Sequence, residues 1–358
     1  MEPLEILKRS WKILWSYRAL WVFALILGLT AGGGSTGWGG NGNRFQYQMD
    51  NNQDFREFIR QLQRLFGGEL PRMNIPGDVW TTVMWVILGI ILVVLIVAVV
   101  FTILRYVSEA AVIRMVDAQE RTAEKPGVRA GFRLGWSRAA WRLFLINLLV
   151  NLPLFFMVLF LVLVGLGFFW TAMQGSLQAT SIPGWIVLGL VLAPLTLVVI
   201  ALSVVLNLFR QFFWRASALE GIGVGEAFRR GYALVRRNWQ NVALMWLILV
   251  GIGIAWAVAM FVAFFLLIPV YIVTGLAGLI AGGLPALLVG GIASLFLGEW
   301  IPWVLAAIVG LPIFLLVTFS PLLFLSGLGK IFTSTAWTLT YRELAALESL
   351  APAPEPAG

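Results

Sequence analysis

The segment from Gly223 to Val250 constrains the fold most, because a basic amphipathic helix runs there directly into an uncharged apolar stretch. At about 100° per residue, the cations of this helix share one face and its large apolar residues share the other. Such a helix typically lies at a membrane surface, with its cations among lipid headgroups. We expect the apolar face to point into the acyl boundary. That face comprises Val224, Phe228, Tyr232, Val235 and Trp239.

Several other apolar stretches exceed the roughly 20 residues that a helix needs to cross a bilayer. Of the 358 residues, 60% are hydrophobic and only 12% are charged, so a soluble fold would expose large apolar patches. We therefore predict an all-α integral membrane protein with about six transmembrane helices. The predicted spans are 19–31, 80–104, 143–173, 186–208, 242–267 and 302–325.

The stretch 268–298 is apolar but is interrupted by prolines and glycines, and three interpretations of it stay open. It could be a further span, a hairpin that dips into the membrane and returns, or a continuation of the fifth span followed by a surface helix. Because an odd number of added spans would place Lys330 and Arg342 outside, we expect zero or two.

The basic amphipathic segment occurs three times. Leu7, Phe132 and Phe228 occupy the same position in the three copies, as do Trp11, Trp136 and Tyr232. We predict a single polytopic membrane domain, 1–350, in which each repeated unit is an interface helix, a span out and a span back. The predicted units are 1–120, 121–220 and 221–347.

The first unit is longer than the others because it contains the loop 32–78, which we predict to lie outside the membrane and to carry an amphipathic helix. Residues 351–358 are rich in alanine and proline and are predicted to be a disordered tail.

The lysines and arginines predict the orientation of the chain. All but five of the 25 lie in 1–18, 105–142, 210–237 and 330–342. The positive-inside rule makes those segments cytoplasmic, together with both termini. The five exceptions all lie in the loop 32–78 and are Arg44, Arg56, Arg60, Arg64 and Arg72.

Seven of the cations in the predicted cytoplasmic segments are the candidate lipid-binding residues. We predict that they contact phosphate headgroups of anionic lipids, each at about 1 kcal/mol. The alternative is that these charges only set the topology during insertion and later face water. The candidates are Lys8, Arg9, Lys12, Arg229, Arg230, Arg236 and Arg237.

A second candidate is a polar cluster inside the membrane. Asn147 and Asn151 share one face of the third span, and Asn207 lies near the cytoplasmic end of the fourth. These amides form either hydrogen bonds between helices or part of a polar pathway. At the membrane edge, Glu109 could pair with Arg114, and Glu220 with Arg215.

No pattern of catalytic or metal-binding residues is found. The chain has no histidine and no cysteine, which removes imidazole bases, thiol nucleophiles and the commonest metal ligands. No predicted span carries a central charge, although proton-coupled transporters normally have one. We therefore expect no enzymatic activity and no cofactor.

The segments Gly225–Trp239 and Gly327–Leu344 resemble a bacterial multipass family. The resemblance is to the membrane domain that precedes the catalytic domain in some glycerophosphoryl diester phosphodiesterases, and to related six-span proteins. It implies a membrane fold in a bacterial inner membrane. It implies no phosphodiesterase activity, because the hydrolase domain of that family would supply histidines and acidic metal ligands.

The leading functional hypothesis is a non-catalytic scaffold or accessory subunit that engages anionic lipids, other membrane proteins or further copies of itself. The alternative is a channel or transporter for an uncharged or lipid-like solute, and an enzyme that acts on lipids comes third. The net charge of +8 does not favour nucleic acid, because the cations flank apolar spans.

Overall fold

The computed structural model describes residues 2–30, 77–173, 182–295 and 301–350. Every regular element in these ranges is an α-helix. The predicted helix of the loop 32–78 and the predicted tail 351–358 lie outside the described residues. The helices are α1 (Pro3–Ser16), α2 (Ala19–Thr30), α3 (Gly77–Thr122), α4 (Val128–Gly135), α5 (Arg138–Met173), α6 (Ile182–Glu220), α7 (Val224–Arg237), α8 (Trp239–Leu266), α9 (Ile268–Ser294), α10 (Ile301–Thr318) and α11 (Ser320–Leu350).

The chain divides into two compact units, one formed by Met1–Gly39 with Ile103–Gly358 and the other by Gly40–Thr102. In the second unit the described part is 77–102, the beginning of α3, and this part carries no charge after Asp78. The other described helices belong to the first unit.

Six of the described helices are long and apolar enough to cross a membrane, namely α3, α5, α6, α8, α9 and α11. This confirms the predicted all-α membrane class with about six spans. The pair α1 and α2 would be a seventh candidate, but the two helices meet at a bend of 99°. The identity of the spans differs from the prediction, because α9 qualifies, whereas α10 and α2, the predicted first span 19–31, are each too short on their own.

The predicted last span, 302–325, is wrong as a single helix, because α10 ends at Thr318 and α11 begins at Ser320. The described part of the stretch 268–298 contains one helix, α9 (Ile268–Ser294), which begins immediately after a break at Leu267. Proline explains both breaks. Pro269 and Pro321 have no N–H group to donate to the preceding helical turn, so a new helix begins one residue before each proline.

The two breaks lie side by side. The Phe319 ring centroid is 5.4 Å from that of Tyr271 and 6.4 Å from that of Phe264. Thr274 Oγ1 also donates a hydrogen bond of 2.8 Å to the Thr318 carbonyl. Helices α9 and α10 lie between the two breaks in the chain and pack against each other in antiparallel orientation. We call this helix pair the arm.

Most of the buried core lies at the charged ends of the long helices, and we call this region the junction. It comprises α1, α2, α4, α7, the starts of α5 and α8, the ends of α6 and α11, and the part of α3 after Tyr106. Beyond the junction the helices expose large apolar side chains, among them Phe261, Leu279 and Leu287. Lipid must cover that surface, because exposed apolar area of this extent would aggregate in water.

The last helix crosses α2 at very short range. A Cβ atom on Gly327 would overlap the carbonyl oxygen of Ala24, and one on Gly28 would overlap the carbonyl oxygen of Leu323. Small residues permit such close approach of two helix backbones in a membrane protein. The crossing brings the serine- and threonine-rich part of α11 into the centre of the junction, where it is buried.

The short basic helices α1, α4 and α7 pack their inner faces on the junction. Corresponding positions are buried in all three, at Ile6, Gly131 and Ala227 and again one turn later at Ser10, Gly135 and Gly231. The expectation that the apolar face of α7 points into the acyl boundary is therefore wrong in part. The inner side of α7 contacts protein. Of the five residues of the apolar face, only Tyr232 and Trp239 are exposed.

Candidate functional site

A buried arginine stands at the centre of the junction. Arg215 of α6 is almost fully buried and donates hydrogen bonds of 2.7 and 2.8 Å to the carbonyl and side-chain oxygens of Gln211. Its other terminal nitrogen donates to the Ser334 carbonyl of α11 at 2.9 Å. Ser334 Oγ in turn donates to Glu109 of α3 at 2.9 Å. Both terminal nitrogens of this buried cation therefore have acceptors, while its Nε has none in the described part of the chain, and the contacts join α6, α11 and α3.

A second buried arginine, Arg210, lies five residues earlier on the same helix. Arg210 Nη1 donates to Asn147 Oδ1 at 2.9 Å, and its guanidinium carbon lies 4.9 Å from the Trp214 ring centroid, a cation–π contact. Asn151 Nδ2 donates to the same Asn147 oxygen at 2.9 Å. Within the described residues, Asn207 makes no side-chain hydrogen bond. The structure thus joins Asn147 and Asn151, but to Arg210 rather than to Asn207.

The burial of these two arginines was not predicted, because the whole of 210–237 was assigned to one cytoplasmic segment and Arg215 was expected at the membrane edge. The helix α6 continues to Glu220, and Arg210 and Arg215 lie on its buried side. The signal was present in their neighbours, since aromatic residues surround both and a water-exposed helix would not normally carry so many. Those neighbours are Phe209, Phe212, Phe213 and Trp214.

The predicted pair of Glu109 with Arg114 is not formed. Arg114 donates to the carbonyls of Ala218 and Leu134, at 3.2 and 3.1 Å, and to Ser137 Oγ at 3.0 Å. Helix ends leave carbonyl groups without intrahelical partners, and Arg114 satisfies two of them where α4 and α6 end.

The predicted pair of Glu220 with Arg215 is also wrong, because Glu220 accepts hydrogen bonds from Tyr341 and Arg230. Arg230 also contacts Glu348 at 2.5 Å, and Arg237 contacts the same carboxylate at 3.4 Å. Burial alone would lower the pKa of Arg230, but the two carboxylates outweigh it and raise that pKa. This ion-pair group joins α6, α7 and α11 at the charged face.

The seven predicted lipid-binding cations divide into two groups. Arg230 and Arg237 are held by Glu348, and Arg9 lies 3.3 Å from Glu120 and 3.9 Å from Glu343. The other four are exposed and make no side-chain hydrogen bond or ion pair with any residue that the structure describes. These four are Lys8, Lys12, Arg229 and Arg236. Lipid contact itself stays a prediction for all seven.

The arm contains an apolar groove of about 970 Å³ between α9 and α10. The helices touch at Gly282, where an added Cβ would lie 2.5 Å from the Gly310 carbonyl oxygen. Gly283 and Gly291 also line the groove, but an added Cβ there would meet open space. The groove is therefore bounded by small residues and could be filled by substitution without disturbing the helix pair.

Long apolar helices, a lipid-facing apolar surface and a junction at their charged ends define an all-α integral membrane protein. The chain belongs to a family of unknown function, DUF7544, whose family model matches residues 7–334. The matched range runs from the first short helix to Ser334 and so includes the whole arginine network. No curated protein and no solved structure matches the chain.

Proposed function

We propose that this protein is a non-catalytic scaffold or accessory subunit of the bacterial inner membrane that engages anionic lipids or other membrane proteins. The observation that carries the proposal is the set of exposed cations on the short helices, which have no acidic partner in the described part of the chain. Cations beside apolar spans attract anionic lipid headgroups.

The buried polar groups support a structural role. Arg215 binds Gln211 and Ser334, and Arg210 binds Asn147. Polar side chains that bond to one another across helices help to specify the packing of those helices. We infer that the network holds the junction together beneath the lipid-binding surface.

The orientation and the repeat belong to the same proposal. Both termini are cytoplasmic, since the cations of α1, α4 and α7 follow the positive-inside rule. The order of a short basic helix followed by two apolar helices occurs three times, although the first apolar helix of the first copy is short, and the short basic helices bury corresponding residues. On this proposal, the resemblance to the phosphodiesterase membrane domain extends to the membrane fold alone.

The test is to extract the protein from its native membrane in polymer-bounded particles and to identify the lipids and proteins retained. Enrichment of anionic phospholipid over the bulk membrane supports the proposal, and a bulk lipid composition contradicts it. The same preparation should not hydrolyse glycerophosphodiesters. Metal-dependent turnover that disappears in Glu109→Gln would show that the protein is an enzyme.

The groove in the arm favours a second candidate function, the transport of a lipid-like molecule. A leucine at Gly283 would fill the groove, whereas a leucine at Gly251 of α8, where a Cβ also meets open space, would not. Transfer of fluorescent lipid between vesicles that falls in Gly283→Leu but not in Gly251→Leu would support this function. Equal transfer by both variants and wild type would exclude the groove as its route.

A further inference from the structure

The three short helices share one further feature, a cation and an aromatic residue three positions apart on the outer face. The pairs are Lys8 with Trp11, Arg133 with Trp136 and Arg229 with Tyr232. Residues three apart are neighbours on a helix surface. The cations are exposed, and the rings of Trp11, Trp136 and Tyr232 are exposed by 48%, 68% and 52%.

This position differs from every other cationic position of the short helices. It is the one register at which all three copies carry a cation. One residue further on, the copies carry Arg9, Leu134 and Arg230, and both of those arginines are ion-paired with glutamates. By contrast, Lys8, Arg133 and Arg229 form no side-chain hydrogen bond or ion pair within the described ranges.

The location also favours lipid over an acidic protein partner. In each copy, the chain passes from the short basic helix into an apolar helix within three residues. Aromatic side chains with a polar tip concentrate at the level of the headgroups, where the ring can reach the acyl boundary and the cation the phosphate. The opposite face of each short helix is already buried on the junction, so the pairs face outward.

We propose that the three cation–aromatic pairs are equivalent binding sites for the phosphate headgroups of anionic phospholipids. The inference rests on the proposed function and sharpens it. It adds Arg133, with Trp136, to the lipid-binding residues, and it removes Arg9, Arg230 and Arg237, whose charges stabilise the junction.

The test uses the full chain in nanodiscs of equal parts phosphatidylglycerol and phosphatidylcholine, with native mass spectrometry to count the lipids that remain bound. The test variant carries Lys8→Gln, Arg133→Gln and Arg229→Gln. The matched control carries Arg9→Gln, Arg230→Gln and Arg237→Gln, which removes the same charge from ion-paired positions. Thermal unfolding of both variants checks that each is folded.

We expect phosphatidylglycerol to bind about fivefold more weakly at each altered site of the test variant. The control should keep the wild-type lipid count and unfold at a lower temperature. Equal losses in both variants would overturn the assignment of these sites but leave the proposed function standing. No preference of the wild type for phosphatidylglycerol would overturn both. If inorganic phosphate displaces bound phosphatidylglycerol as effectively as added phosphatidylglycerol does, the sites recognise phosphate alone. That result would also overturn the assignment.

Discussion

Gly231→Ala should destabilise the protein, because the inner face of α7 has no room for a methyl group. An added Cβ would lie 2.6 Å from Phe213 Cδ1 and 3.3 Å from the Phe213 backbone nitrogen. Ordinary carbon contacts are about 3.5–4.0 Å, so α7 or the ring must move by about 1 Å. The ring cannot turn away easily, since Phe209 and Phe228 pack on it at centroid distances of 5.9 and 4.4 Å.

Overpacking of this kind typically costs about 1–3 kcal/mol, while replacing a helical glycine by alanine returns about 0.8–1 kcal/mol. The matched control is Gly225→Ala in the first turn of the same helix, where a Cβ meets open space. We expect the control to be neutral or slightly stabilising, and the two variants to differ by about 1–3 kcal/mol. Unfolding by sodium dodecyl sulfate in mixed micelles measures the difference. If Gly231→Ala is as stable as Gly225→Ala, then α7 does not pack on α6 as described.

Three further changes test other parts of the junction by the same measurement. Gly327→Ala should cost more than Gly231→Ala, because its Cβ would overlap the rigid carbonyl of Ala24 rather than a side chain. Ser334→Ala should cost about 1–3 kcal/mol by leaving buried partners unsatisfied, whereas Ser349→Ala at the exposed end of α11 should be neutral. Glu348→Gln should cost about 1 kcal/mol at low salt and less at high salt, because it removes the ion pairs of Glu348 with Arg230 and Arg237 at a partly exposed site.

Much of the fold follows from local sequence. Pro126 and Gly127 predict the start of α4, and the charge pattern predicts the position of α7, whose first turn is capped by a hydrogen bond of 3.3 Å from the Gly223 N–H to Glu226. The helix break at Leu267 coincides with the predicted end of the fifth span, but the break at Phe319 was not predicted, although Pro321 follows it closely. In apolar stretches of this length, proline is often tolerated within a helix, as Pro153 and Pro285 show here.

The candidate site was harder to predict, because its chemistry depends on contacts between distant segments. Arg230 and Arg229 are adjacent and look alike in the sequence, yet only Arg230 meets Glu348, which lies 118 residues away. Likewise, Arg215 requires Ser334 at the far end of the chain. Periodicity assigns a residue to a face of its own helix, but it does not tell which helix covers that face.

The most direct test of the central claim is to measure on which side of the membrane the charged ends of the helices lie. Because the chain has no cysteine, single substitutions report access to an impermeant maleimide without background. Lys12→Cys, Arg133→Cys and Ser349→Cys should react in inverted membrane vesicles and not in intact cells, and Gly40→Cys should show the reverse. Reaction of Arg133→Cys or Ser349→Cys from outside intact cells would contradict a shared cytoplasmic face for the short helices and the end of α11.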